Sequence, residues 1–427
     1  MATSPPAPTE SAAPPAPIPG TAAVEYLDAA LRPAWARVDL DALAANVRLL
    51  ARRIAPARLG AVVKADAYGH GAVRVSLALE REGAALLAVA LVEEGVELRR
   101  GGVRAPVLVL GTAQPAQLQV FRRHRLLPVV SSLSQLALWR EWAAGDLRPQ
   151  PIHLEVDTGM SRLGVPPEEA AEALAMVRQA PGLELAGLMS HFGDADDAAS
   201  PRNREQEERF AAVLALLSAE EREAVTIHLA NSAAGIHRPA SRFDLVRFGL
   251  SIHGLDPGGA AAGDGGGVRG DSGLVPTMSV ATQVMQVRRV PAGRAAGYSS
   301  RWAAERDSLL ATVPVGYADG YAWTLLGRAE ALVAGRRVPL AGAISMDLTI
   351  LDVTDLAAAG VAVAEGDEVV LLGRQGDEEV TAWELARRGG TIAHEVLTRF
   401  GQRLPRVYLR GGEVESVASR FLPGGRR

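Results

Sequence analysis

Between residues 59 and 250, short apolar runs rich in β-branched residues alternate with longer stretches of helical periodicity, the spacing of repeated βα units. Eight runs can be counted: Leu59–Val63, Leu86–Ala90, Val107–Leu110, Leu127–Val130, Ile152–Val156, Leu185–Met189, Val225–Leu229 and Leu245–Phe248. Helices are predicted between them, for example over Pro167–Gln179 and Asn203–Ser218. The pattern predicts an α/β fold. A doubly wound sheet would give a similar alternation, but a count of eight favours a parallel (β/α)8 barrel. Upstream, WARVDLDALAANVRLLARR predicts a short strand and a helix with Asp39 or Asp41 as N-cap.

The texture changes after Pro257–Gly273, a Gly/Asp-rich segment without apolar periodicity that reads as a linker. Runs such as SVATQVMQV, SLLATVPV, EALVAG, RRVPLAGAI, LTILDV and DEVVLLG then predict strands, with one clear late helix around Trp383–Arg388. The expected organisation is a Pro/Ala-rich disordered tail over 1–33 and a barrel over 34–256. The linker over 257–273, a mainly β domain over 274–420 and a short tail over 421–427 follow.

A chain of 427 residues exceeds the size at which single cores stop growing, which agrees with two domains. A net charge of −4 with scattered arginines offers no basic field, so no nucleic-acid partner is expected. The absence of cysteine removes disulfide and thiolate chemistry and fits a reducing compartment. No apolar run reaches membrane-spanning length, and MATSPPAPTESAAPPAPIPG lacks the features of a secretory signal. No membrane partner and a cytoplasmic location are expected.

Chemistry enters through AVVKADAYGHGA. Of 45 basic residues, Lys64 is the single lysine. An amine can lose its proton and act as nucleophile, Schiff-base former or base, whereas guanidinium stays charged. Lys64 follows the first predicted strand, at the rim where barrel active sites are built. Arg162, His191 and Ser232 follow runs five to seven, and Arg247 with Gly249 lies at run eight, on the same rim. The loops after strands seven and eight offer a hydroxyl and the amides of Gly249 and Leu250, a common barrel phosphate site. An amine aimed at a phosphate-bearing aldehyde points to pyridoxal phosphate, which supplies an electron sink while the protein supplies orientation and acid/base groups. Taken singly, Gly249 also reads as a turn glycine, Ser232 as a helix cap and His191 as a core histidine.

The series AVVKADAYGHG, DTGMSRLG, SHF, HLANSAA, DLVRFGLSIHGLDP, GYSSRW, VPVGYADGY, ISMD and TIAHEVLTRFGQRLPRVY closely resembles the alanine racemases, over Trp35 to Tyr408. The resemblance implies a homodimer in which the partner's β domain completes each barrel site, and a product, D-alanine, used for cell-wall peptidoglycan. Lys64 would hold pyridoxal phosphate as an aldimine and act as base toward D-alanine, with Tyr298 of the other subunit as base toward L-alanine. Two bases suit a reaction that removes a proton from one face of a planar carbanion and returns it to the other. Arg247 would face the pyridine nitrogen. Tyr68, Ser232, Gly249 and Leu250 would hold the phosphate, and His191 and His228 would belong to the polar network around Arg247 and Tyr298. Arg162 and the Met346 amide would hold the substrate carboxylate, with Tyr317 and Asp347 at the entrance; Tyr317, Tyr321 and Asp347 equally suit interface packing.

Three positions depart from the family pattern. Glu155 stands where some members carry a carboxylated lysine that positions the arginine, and is expected to supply that carboxylate to Arg162. His394 replaces a tyrosine that donates to the phosphate and narrows the pocket, which leaves room for serine as substrate. Ala343 replaces a common arginine. The competing readings are a pyridoxal phosphate carrier without turnover, a barrel-type decarboxylase and a broad-specificity racemase. The carrier lacks a β domain, the decarboxylase typically draws a catalytic cysteine from its own, and the broad-specificity enzyme is usually exported.

Overall fold

The computed structural model describes residues 32–145, 148–257 and 272–421. All but the last two residues of the expected N-terminal tail, most of the linker and nearly all of the C-terminal tail lie outside the described residues; Arg32, within that tail, is held by the Asp319 carboxylate.

Eight parallel strands form the first layer: β2 (Arg58–Val62), β3 (Leu86–Val89), β4 (Val107–Val109), β5 (Leu126–Val130), β6 (Gln150–Glu155), β7 (Leu183–Met189), β8 (Thr226–His228) and β9 (Leu245–Phe248). They are hydrogen-bonded in that order, with β9 returning to β2. Between β8 and β9 the Asp244 amide donates to the Ile227 carbonyl and the Arg247 amide to that of Ala230, both at 3.0 Å, which brings the ring to near closure. Side-chain alternation divides the apolar residues into two cores. Leu59, Ala61, Ile227, Val246 and Phe248 pack outward against the helices, while Val62, Leu86, Ala88, Leu108, Val129, Met189 and Leu245 fill the interior.

The first strand, β1 (Ala34–Asp39), does not belong to this ring. It pairs antiparallel with Met278–Gln283 and parallel with Arg406–Arg410, inside the largest sheet of the mainly β second unit. The chain thus begins in one unit and crosses to the other through α1 (Leu40–Ile54), which the Asp39 carboxylate caps by accepting from the Asp41 and Ala42 amides at 2.9 Å. The expected late helix is present as Ala382–Gly389, and a second follows at Ala393–Arg399 within TIAHEVLTRF. That segment lacks a side-chain cap and opens on β-branched Thr391 and Ile392, so its helix left little trace in the sequence.

Candidate active site

Gly60, Val62 and Lys64 fall in register on the inner side of β2, so the alternation delivers Lys64 to the barrel mouth. The chain then makes an unusual turn. Ala65, Asp66, Ala67 and Tyr68 all have φ between 51° and 56°, and Gly69 follows at 81°. Left-handed helical turns of L-residues cost roughly 1–2 kcal/mol per residue, so neighbours must hold this one in place. Glu94 accepts from the Ala65 amide at 2.6 Å and Asp66 from that of Ala72 at 2.8 Å. Arg406, buried in the second unit, donates to the Gly69 carbonyl through Nε and Nη2 at 2.9 and 2.8 Å. Glycine is required at 69, because a Cβ would lie 2.5 Å from the Leu397 carbonyl oxygen. Burial lowers the Lys64 pKa below the ordinary lysine value, the Arg162 charge lowers it further, and Glu94 opposes both.

At the base of the mouth lies Arg247, buried on the inner face of β9. Nη1 donates to His228 Nδ1 at 2.9 Å and to the His228 carbonyl at 3.0 Å. Nη2 meets His191 Nδ1 at 3.0 Å and the Ser190 and Leu229 carbonyls at 2.8 and 3.1 Å. All five of these bonds run through Nη1 and Nη2. A guanidinium only donates, so His228 Nδ1 accepts and its Nε2 carries the hydrogen toward His153 Nδ1, 2.9 Å away. Burial and the Arg247 charge hold His191 and His228 well below the usual histidine range, and the same causes bring His153 down to about 4. Burial also lowers Arg247, to about 10, which leaves it the cation among neutral imidazoles at pH 7.

A second cluster forms beside it. The Ser232 hydroxyl accepts from the Gly249 amide at 3.0 Å, and Asn231 rather than Ser232 caps the following helix, accepting from the Ala234 amide at 3.1 Å. A Cβ on Gly249 would overlap the Tyr68 hydroxyl and sit 2.9 Å from its ring, so glycine allows the tyrosine to reach this loop. Burial pushes Tyr68 up to about 12, keeping it a neutral donor. Leu250, also buried, opens the next turn. From the second unit, His394 brings its ring centroid 5.9 Å from that of Tyr68, with a buried Nδ1 that has no partner among the described residues.

The DTGMSRLG loop owes its shape to Asp157, whose carboxylate accepts from the amides of Gly159, Met160 and Ser161 at 2.9–3.0 Å. It presents Arg162 exposed on the rim. Glu155 is buried on the inner face of β6, two residues from His153. Its pKa is raised by burial, against the Arg247 and Arg162 charges. No direct ion pair joins Glu155 to Arg162 among the described residues, so the expected contact is not made in the single chain.

Tyr298, Tyr317, Met346 and Asp347 are placed apart from these groups, together on the second unit. Tyr298 is 70% exposed and Met346 53% exposed, at the surface of one chain. Their loops are stitched to one another: Tyr317 N–H donates to the Ser345 carbonyl at 3.1 Å and Ala318 N–H to that of Met346 at 3.0 Å. A Cβ on Gly297 would be 3.0 Å from the Ala343 nitrogen, so Ala343 is packed beside the Tyr298 loop. Asp347 is paired with Arg403 at 2.6 Å, and Tyr321, by contrast, is fully buried in the second unit's core. His153, Glu94 and Arg406 escaped sequence reading. A histidine on the inward side of β6, two residues before Glu155, was the available signal for the first; the other two act across long sequence separations.

Comparison with known proteins agrees with this geometry. The family model "Alanine racemase, N-terminal domain" matches residues 38–257 and "Alanine racemase, C-terminal domain" matches 277–408. The alanine racemase of Symbiobacterium thermophilum is 41% identical over 392 residues, covering 90% of this chain and 98% of that protein. Among solved structures, the alanine racemase of Clostridium difficile 630 superposes with a TM-score of 0.83 at 30% identity, covering 92% of this chain and 100% of that one. The Bartonella henselae alanine racemase, described with covalently bound pyridoxal phosphate, gives 0.78 at 30% identity, over 88% and 99%. With both domains matched and such relatives aligned over nearly their whole length, the chain belongs to the alanine racemase family of isomerases.

Proposed function

We propose that this chain is a pyridoxal phosphate-dependent racemase that interconverts L- and D-alanine in sites shared between the subunits of a homodimer. The observation that carries the reading is the chain's one lysine, its pKa lowered, at the mouth of a barrel whose floor is a buried arginine cation. The residues fit the cofactor. The buried His394 Nδ1 lacks a partner among the described residues, the Arg247 bonds all run through Nη1 and Nη2, and the Gly249 backbone leaves room for the Tyr68 hydroxyl. Tyr68, Ser232, Gly249, Leu250 and His394 would hold the phosphate, Arg247 would face the pyridine nitrogen and Lys64 would carry the group. When bound, pyridoxal phosphate supplies the electron sink that makes the α C–H acidic.

The rest of the work falls to the chain. The Lys64 amine takes or returns the α-proton on one face of the substrate, and Tyr298 of the partner subunit does so on the other. Arg162 and the partner subunit's Met346 amide orient the carboxylate, which holds the Cα–H bond in line with a base. Neutral His191 and His228 absorb none of the Arg247 charge and fix its plane. The exposed Tyr298, Tyr317, Met346 and Asp347 support a surface meant for a second copy. A cytoplasmic enzyme supplying D-alanine to peptidoglycan fits a chain without cysteine. The assignment of bases is tested by α-proton exchange in deuterium oxide. Tyr298→Phe should keep exchange from D-alanine while losing that from L-alanine; equal loss of both would refute the two-base assignment.

A further inference from the structure

Glu94 occupies an unusual place for a carboxylate. It lies in the helix after β3 (Val92–Arg100), yet its two oxygens tie together two rim loops. Oε1 accepts from the amide of Ala65, the residue after Lys64, at 2.6 Å, while Oε2 accepts from Ala90 at 2.8 Å and Leu91 at 3.0 Å. Three backbone donors on one carboxylate define its position tightly. The Ala65 amide is also the first of the left-handed turn, so the contact fixes where Lys64 leaves the strand and how the turn to Tyr68 begins.

We propose that Glu94 is a positioning residue for Lys64, fixing the start of the left-handed turn and supplying the negative charge that opposes the Arg162 cation at the amine. Resting on the reading of Lys64 as the cofactor-bearing base, this goes beyond it by assigning the group that opposes burial and Arg162 in the amine's protonation. The titratable and charged groups that act on Lys64 or feel its charge are Arg162, His191, His394 and Glu94, and Glu94 alone favours the protonated amine. Without it, burial and Arg162 would act unopposed, and the amine would lose its proton at lower pH.

Because Lys64 is the chain's single lysine, an amine-specific acylating reagent followed by peptide mass spectrometry reads this side chain apart from the α-amino group. The full-length protein stripped of cofactor is labelled across pH 6–11. Glu94→Gln should move the midpoint of Lys64 labelling down by roughly half to one pH unit, the size expected of one nearby charge in partly solvated protein. Glu94→Asp, which keeps the charge, should hold the midpoint near the parent value. Glu94→Thr serves the same comparison as Glu94→Gln if the latter does not fold. Midpoints unchanged in the neutral variants, with circular dichroism showing native folds, would overturn the proposal, because a purely structural role would alter stability and leave the midpoint in place. The readout is independent of turnover: a shifted midpoint in a protein that never develops visible absorbance with pyridoxal phosphate would uphold the role of Glu94 and defeat the racemase reading.

Discussion

Replacing Arg406 with methionine should uncouple the second unit from the turn that follows Lys64. Arg406 is 4% exposed and spends its guanidinium on backbone carbonyls: Gly69 through two bonds, Leu404 at 2.8 Å, and Gly401 and Phe400. Methionine preserves much of the aliphatic packing but donates nothing. Each buried carbonyl left without a donor costs about 1–3 kcal/mol, and even partial rescue by water leaves a loss of roughly 3–5 kcal/mol. The turn itself carries four non-glycine residues in the left-handed region, so its strain favours rearrangement once the Gly69 carbonyl is released. Stability and site geometry should therefore fail together. Urea unfolding followed by circular dichroism measures the first, and titration of visible absorbance with pyridoxal phosphate measures the second. Arg410→Met, on the same strand, is the control, since Arg410 is partly exposed and its pairing with Glu415 is a surface ion pair worth about 0–1 kcal/mol. If Arg406→Met unfolds at the parent urea concentration and binds the cofactor unchanged, the clamp plays no such role.

Gly249→Ala should fold nearly as the parent protein yet weaken cofactor binding at least tenfold, because the new methyl overlaps the Tyr68 hydroxyl; equilibrium dialysis would show it, and unchanged affinity would contradict the crowding. Acid should destabilise the protein through His70 and His153, both lowered to about 4 by burial first. These histidines stay neutral when folded but protonate near 6.5 when unfolded, so stability is full above pH 6.5 and falls as pH drops toward 4, by about 3 kcal/mol for each. Urea midpoints at pH 7.5, 5.5 and 4.5 check the slope, and His153→Gln should flatten it. Lys64→Arg should abolish the visible absorbance of the cofactor complex while leaving the circular dichroism spectrum native, since guanidinium cannot serve as the amine.

The barrel was legible because its strands are buried on both faces, so most of them read as largely apolar runs, broken by site residues such as His153 and Glu155 in β6 and Arg247 in β9; β3, β4, β5 and β9 all fall within about one or two residues of the runs that announce them. Asp39 could be narrowed only to itself or Asp41, and the structure assigns the cap to Asp39. Pairing partners were not legible. β1 looks like any short strand, and its place beside Arg406–Arg410 depends on contacts more than 350 residues away. The left-handed turn was hidden for a different reason, since Ala65, Asp66, Ala67 and Tyr68 have no intrinsic preference for that conformation and only distant groups impose it. Lys64, Arg162, His191 and Ser232 could be placed from strand ends alone, whereas the depth of Arg247 inside the barrel and its relay through His228 to His153 required the placing of β6 and β8 around it. Glu155 shows the limit of analogy: a carboxylate coupled to Arg162 was expected, and the Arg162 charge does act on it, but a direct pair does not form between them among the described residues.

The central claim is that one amine and one phenol, placed on opposite faces of alanine, move its α-proton in both directions. Purified protein with pyridoxal phosphate, given L-alanine in one vessel and D-alanine in another, provides the most direct test through optical rotation followed to completion. Both vessels should decay to zero rotation with no loss of alanine. Rotation that persists in either vessel, or carbon dioxide released as it fades, would contradict the account.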